Sequence, residues 1–323
     1  MKIFVTGGAG FIGSNYVRGL LGGLWGQNSD TVTVFDSLTY AGNLENLAPV
    51  RGDSRFTFVQ GDIRNPSEVK HALKGHNCVV HFAAESHVDR SIHSPSIFIE
   101  TNVLGTQVLL EEALSQSITT FVHVSTDEVY GSIESGSWDE SCPLLPNSPY
   151  AASKASSDLV ARAYWRTYGL DVRITRCSNN FGPYQYPEKV IPLFVTNLMD
   201  NLQVPLYGDG TNIRDWLHVN DHCRGIDLVL RSGSPGEIYN IGGGTELTNR
   251  ELTNLILRAM NKGPEMIRPV NDRQGHDKRY SVDWSKIRDQ LGFSPKESLT
   301  NSVSELIKWY QSNEQWWRPL KGL

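Results

Sequence analysis

The 323-residue sequence predicts an α/β protein: a doubly wound parallel sheet followed by a smaller, mixed α/β lobe. Three observations predict it. Apolar β-like runs alternate with helical stretches through residues 1–176. Those runs are continuously rich in Val, Ile and Phe, as in strands buried on both faces. After about residue 177 Pro and Gly become frequent, in "GPYQYPEKVIP", "YGDGTN", "SGSPGE" and "IGGGTE", and the rhythm changes. The expected division is 1–176 for the sheet domain and 177–323 for the second lobe. A segment from about 205–235 is expected to complete part of the sheet.

The elements follow in order. "KIFVT" (2–6) is the first strand, and a Gly-rich turn leads into a helix from about Phe11. "TVTVFD" (31–36), "FTFVQGD" (56–62), "NCVVHFA" (77–83), "TTFVHVS" (119–125) and "DVRITR" (171–176) are the next strands. Helices are expected near 66–74, 94–116 and 148–168. Right-handed crossovers between parallel strands then give the doubly wound order. Helices near 219–231, 248–260 and 299–312 belong to the second half, with short strands between them. Neither an internal repeat nor a low-complexity linker separates the lobes, so they are expected to pack together.

Composition removes several function classes. At a net charge of −5 nothing is basic enough to suggest a nucleic-acid partner. No apolar run approaches the roughly 18 residues of a membrane helix. "MKIFVTGG" enters a strand directly, without the charged and apolar regions of a signal peptide. Cys78, Cys142, Cys177 and Cys223 lack CxxC spacing and are expected as free thiols in a reducing cytoplasm. The nine histidines form no HExxH or HxH pair, so no metal is expected.

The first turn reads Thr6-Gly7-Gly8-Ala9-Gly10-Phe11-Ile12-Gly13. It satisfies GxGxxG through Gly8, Gly10 and Gly13, and GxxGxxG through Gly7, Gly10 and Gly13. Glycine allows a tight turn and lets backbone N–H groups reach a pyrophosphate at a helix N-terminus. Asp36 ends the second strand about 20 residues on, where a carboxylate accepts both ribose hydroxyls and repels a 2′-phosphate. No Arg follows in "FDSLTYAG", so NAD is favoured over NADP. The first half therefore reads as Rossmann-like. Asp62 ends the third strand, either beside an adenine amino group or as a helix N-cap.

Tyr150 and Lys154 form YxxxK in "SPYAASKASSD", with Pro149 at a helix start. At i and i+4 they share one helix face. A neighbouring cation lowers a tyrosine pKa, and with a nicotinamide cation nearby that suits a general base near neutral pH.

Together the Gly-rich turn, "HFAAESHVD", "VSTDEVYG" and YxxxK resemble the extended short-chain dehydrogenase/reductases. The acid pair after Thr126 narrows the resemblance to the dTDP-glucose 4,6-dehydratases, since the related sugar-nucleotide epimerases lack it. The similarity continues through "CSNNFGPYQYPEKVIPL", "YGDGTNIRDWLHVNDH", "YNIGGG", "DRQGHDKRY" and "WYQSNEQWWRPLK", across essentially the whole chain. Gln185-Tyr186 departs from the usual His-Phe. The short stretch between Gly131 and Tyr150 is more like the dehydratases of antibiotic-sugar pathways.

The resemblance implies NAD as cofactor, dTDP-glucose as substrate, a cytoplasmic homodimer and a hydro-lyase reaction. A 4-epimerase, or a dehydratase of UDP- or CDP-glucose, is the alternative. It implies a cofactor site of Gly7, Gly10, Phe11, Ile12, Gly13, Asp36, Leu38, Thr39, Asp62, Ile63, Ala83, Ala84, Thr101, Tyr150 and Lys154. Among catalytic groups, Tyr150 is the base for the C4 hydroxyl, Thr126 hydrogen-bonds the reacting oxygen, and Lys154 supports Tyr150. Glu128 removes the C5 proton that a C4 ketone acidifies, and protonated Asp127 serves the departing C6 hydroxyl. Substrate contacts are implied at Ser86, Thr126, Asn179, Lys189, Arg214, Asn249, Asp272, His276 and Tyr280. For some of these a structural reading stands beside the functional one: Arg214 pairing with Asp215 or Asp209, and Asn179 capping a turn. His218 and His222 are expected to support the fold.

The acid pair sets a geometric condition. Two close carboxyls resist double ionisation, so one pKa rises. Adjacent strand residues point to opposite faces, so Asp127 and Glu128 converge only if the chain leaves the strand there.

Overall fold

The computed structural model describes residues 1–321. Its centre is a seven-stranded sheet. β1 (Lys2–Thr6) leads into α1 (Phe11–Leu21), and β2 (Thr31–Asp36) lies beside β1. β3 (Phe56–Gln60) and α2 (Pro66–Leu73) complete that side of the sheet. β4 (Cys78–His81) crosses to the other flank of β1. Short helices α3 (Val88–His93) and α4 (Pro95–Phe98) follow, then a π-helical stretch over Ile99–Gly105 and α5 (Thr106–Ser115). β5 (Thr120–Thr126), α6 (Pro149–Tyr168) and β6 (Val172–Cys177) extend the sheet.

The second lobe begins with β7 (Asn179–Phe181), α7 (Val190–Met199), β8 (Val204–Tyr207) and β9 (Ile213–His218). The chain then returns to the large sheet with α8 (Val219–Ser232) and β10 (Ile238–Ile241), which pairs with β6. β11 (Glu246–Thr248), α9 (Asn249–Ala259), β12 (Ile267–Val270), α10 (Ser285–Leu291), α11 (Leu299–Ser312) and α12 (Glu314–Trp317) complete the order. The strand sequence is β10-β6-β5-β4-β1-β2-β3, all parallel, with its reversal at β1/β4. That reversal is where ligands bind in such sheets.

Both faces are covered, which is why the strands are apolar throughout. On one face Tyr16, Val17 and Leu20 of α1 pack with Ile226, Val229 and Leu230 of α8 and Ile287 of α10. On the other, Val69, Leu73, Leu109, Leu110 and Ala161 from α2, α5 and α6 are buried. A third core joins α7, α9, α11 and Trp317 in the second lobe. Among the described residues no helix is long and apolar enough to cross a membrane.

Two details differ from the sequence reading. The strand completing the sheet is Ile238–Ile241, beyond the expected 205–235 segment, which instead supplies β8, β9 and the covering helix α8. The single helix expected over 94–116 is broken. Ser94 has a non-helical φ of −141°, and the π-helical turn follows Phe98. Asn102 explains the irregularity: it accepts from the Glu85 backbone N–H (2.8 Å), donates to the Glu85 carbonyl (3.0 Å) and to Ser153 Oγ (2.8 Å). Such π-bulges recur at functional sites.

Candidate active site

One deep cleft opens above the β1/β4 switch point, between the two lobes. Gly7, Gly10, Phe11, Ile12 and Gly13 form one end, with Asp36, Thr39, Asp62, Ile63, Ala83, Ala84 and Thr101 around them. Gly7 has φ +67°, and a Cβ there would lie 2.5 Å from the Ala83 backbone nitrogen. A Cβ on Gly13 would meet the Gly7 carbonyl at 2.4 Å. Of the two overlapping glycine patterns, the one through Gly7, Gly10 and Gly13 therefore lines the cleft, while Gly8 faces Val34. This cradle fits a pyrophosphate, because backbone N–H groups can approach it with no side chain between.

Asp36 sits at the far end of that cradle. Its Oδ2 accepts from the Ala9 N–H (2.9 Å) and its Oδ1 from the Leu38 N–H (2.8 Å). Each oxygen keeps a free lone pair for a ribose hydroxyl. Leu38 differs from its expected place: it does not line the cleft, and its role is to hold Asp36 from a left-handed backbone (φ +55°). Asp62 lines the cleft and is not a helix cap. It folds into a turn with Arg64, 2.6 Å from the guanidinium, and Asn65 caps α2 instead.

The chemical end meets the geometric condition set by the sequence. β5 stops at Thr126, and Asp127–Tyr130 form a 3₁₀ turn. The Thr126 hydroxyl accepts from the Glu128 N–H (3.3 Å), so the turn is capped by the residue that starts it. Gly131, at φ +80°, ends it. Thr126, Asp127 and Glu128 all line the cleft together with Tyr150 and Lys154. Ser148 caps α6 through the Ala151 N–H, with Pro149 next, so Tyr150 sits in the first turn.

The surroundings separate the two acids. Burial pushes the Asp127 carboxyl well above the usual carboxylate range. The charges of Glu128 and Asp215 push it further, and Arg214 only partly offsets them. Among the described residues the buried Asp127 Oδ2 has no hydrogen-bond partner, as suits a carboxyl that keeps its proton. Glu128 is also raised by burial, but Arg273, Arg214 and Lys189 pull it back. Tyr150 is a third raised group beside the two acids. Burial, with Glu128 next, holds its hydroxyl well above the ordinary value. Lys154 does not offset this: its ammonium is bound to the Val124 carbonyl (2.8 Å), and burial brings its own pKa down to about 8.

Of the expected substrate residues, Ser86, Thr126, Asn179 and Lys189 line the same cleft. Lys189 Nζ donates to the Ser86 carbonyl (3.0 Å), and Asn179 Oδ1 is buried without a partner, which argues against a turn cap. Arg214, Asn249, Asp272, His276 and Tyr280 do not line it directly. They form an adjoining group around β9 and the 272–280 segment. There Arg214 lies 4.3 Å over the Tyr280 ring, and His276 bonds Asp272 at 2.6 Å. Arg214 donates to the Ile213 and Asp277 carbonyls, not to Asp215 or Asp209. Asp215 is occupied by Ser178 and the Gly243 and Thr245 N–H groups. His218 caps α8 and His222 bonds Asn180, both structural tasks. Sequence reasoning missed Arg273 and Asp215, which bias the acid pair. It also missed Tyr40, Tyr184 and Trp316 in the cleft wall. The aromatic density of "WYQSNEQWW" was the available signal for the last.

Residues 4–306 match the family described as GDP-mannose 4,6 dehydratase. A dTDP-glucose 4,6-dehydratase of Streptomyces niveus is 58% identical, covering 100% of this chain and 96% of that protein. The Escherichia coli enzyme of that name is 44% identical, with 98% and 96% covered. The crystal structure of the dTDP-glucose 4,6-dehydratase DesIV from Streptomyces venezuelae, with NAD bound, matches with a TM-score of 0.97. It is 61% identical over 99% of this chain and 100% of that one. A UDP-glucose 4-epimerase from Thermotoga maritima reaches a TM-score of 0.89 at 29% identity, covering 97% and 100%. The fold is thus shared with epimerases, and the acid pair must tell the activities apart. By sequence and structure over its full length, the chain belongs to the GDP-mannose 4,6 dehydratase family and, within it, to the dTDP-glucose 4,6-dehydratases.

Proposed function

We propose that the chain converts dTDP-glucose to dTDP-4-keto-6-deoxyglucose. The observation that carries this is the pair Asp127 and Glu128, brought to one cleft by a 3₁₀ turn beside Thr126, Tyr150 and Lys154, both raised by burial but only Glu128 pulled back by three cations. NAD would be held along Gly7–Gly13 and Asp36, where it would supply a positive ring and a reversible acceptor for the hydride that moves from C4 to C6. Tyr150 takes the C4 hydroxyl proton, and Thr126 holds the oxygen as it becomes a ketone. Glu128 then takes the C5 proton, now α to a carbonyl. Asp127 gives its proton to the departing C6 hydroxyl, which leaves as water. Glu128 finally returns a proton to C5. Tyr150 then loses the C4 hydroxyl proton and Asp127 regains one by exchange with solvent, so the balance is loss of one water with no net redox change.

Ser86, Asn179 and Lys189 are suited to the sugar and its phosphates at the cleft. Arg214, Asn249, Asp272, His276 and Tyr280 are suited to the nucleotide beside it, Arg214 through its planar fork. A homodimer fits Ile99, Leu104 and Leu159, large apolar side chains left exposed on the 95–115 segment and α6. Four free cysteines, three of them buried, fit a reducing cytoplasm.

Purified protein incubated with dTDP-glucose should give the alkali-sensitive absorbance of a 4-keto sugar without net NADH. UDP- and CDP-glucose should turn over poorly. Conversion of glucose to galactose would instead identify a 4-epimerase.

A further inference from the structure

The two chemical pairs stand on different elements. Asp127 and Glu128 stand on the turn that follows β5, whereas Tyr150 and Lys154 ride on α6. The chain between them, 132–147, is irregular and largely exposed, so their separation is set by direct contacts, of which Lys154 Nζ to the Val124 carbonyl (2.8 Å) is one. Behind the cleft, Arg176 of β6 spans that gap. Its Nε donates to Asp158 Oδ2 (2.9 Å), one turn beyond Lys154 on α6. Its Nη1 donates to the Tyr130 hydroxyl (2.7 Å), the last residue of the turn carrying Asp127 and Glu128. The Tyr130 hydroxyl donates to Asn240 Oδ1 (2.9 Å) on β10. Asn240 in turn donates to the Trp138 and Asp283 carbonyls. Asp158 Oδ1 lies 3.3 Å from His123 Nε2 on β5. Arg176, Asp158, Tyr130 and Asn240 are at most 3% exposed.

We propose that Arg176, with Tyr130 and Asp158, is a positioning strut that sets the register of the elimination pair against the oxidation pair. The reason is geometric. One hexose must present C4 to Tyr150 and C5 and C6 to Glu128 and Asp127, so the two pairs need a fixed offset. A buried ion pair is a poor source of stability, because apolar groups of equal volume hold a core as well. A planar guanidinium with two directed bonds specifies angle and distance, which apolar packing does not. None of the three side chains reaches the cleft.

This rests on the dehydratase reading, and the experiment separates the two. NAD-loaded enzyme is mixed with dTDP-glucose in a single turnover, and the rise and decay of reduced-nicotinamide absorbance are followed beside the thermal midpoint. Tyr130→Phe keeps the ring and removes one hydroxyl. The rise should persist and the decay should slow roughly 10- to 100-fold, the scale of a misplaced reacting group. Arg176→Lys, which keeps the charge but loses the fork, should do the same, and the double variant should be no slower than Arg176→Lys alone. An unchanged decay, or both phases slowing together as the midpoint falls, overturns the strut. Failure of the unmodified enzyme to form the 4-keto sugar overturns the dehydratase reading instead.

Discussion

At the scale of single residues, Asp127 holds its proton because its carboxyl is buried beside two anions and one cation. As pH rises through its elevated pKa, that proton is lost, so the elimination rate should fall on the alkaline side. Asp127→Asn should slow elimination by about 10² to 10⁴-fold, the usual worth of a general acid, and leave C4 oxidation intact. Reduced cofactor persisting after a single turnover would show this. Collapse of oxidation with normal elimination of a preformed 4-keto sugar would contradict it. Lys154 makes a stability prediction. Its charged form is disfavoured in the fold, since its pKa falls from 10.5 to about 8. The protein should therefore lose about 3 kcal/mol as pH falls from 10.5 toward 8, where the unfolded chain is already protonated. Lys154→Met should lack this slope in denaturant titrations while losing turnover. Tyr150, Lys154, Asp127 and Glu128 were legible because they are neighbours in sequence. Arg273 and Asp215 were not, since only the fold brings charges from β9 and the 272–280 segment to that turn.

Among the elements, the caps and glycines follow local rules and were readable for that reason. Ser148→Ala removes the cap of α6 and should cost about 1 kcal/mol of stability, with a drop in turnover because Tyr150 lies in the frayed first turn. Gly13→Ala places a methyl group where the Gly7 carbonyl stands. Cofactor binding, read by fluorescence titration, should be lost even if the chain folds. The π-helical stretch was invisible because apolar spacing continues through it. Its cause, Asn102 gripping Glu85 and Ser153, joins three separate segments. Asn102→Ala would leave those buried groups unpaired at about 1–3 kcal/mol.

For the whole molecule, the alternation of strands and helices was enough to place six of the seven sheet strands in order. The return of a later segment to the sheet was expected, but at 205–235 rather than at β10, because pattern alone does not say which short strand of the second half pairs with β6. If Leu104 and Leu159 lie between two subunits, Leu159→Glu should shift sedimentation from dimer to monomer. The same return has a mechanical consequence. The polypeptide passes between the lobes at β6/β7, at β9/α8 and again after β10. With several short crossings, any opening of the lobes must bend these segments together rather than turn on a single strand. A fragment ending at Cys177 would bare both the free edge of β6 and the apolar face that α8 covers. Expressed alone, it should aggregate edge to edge rather than fold.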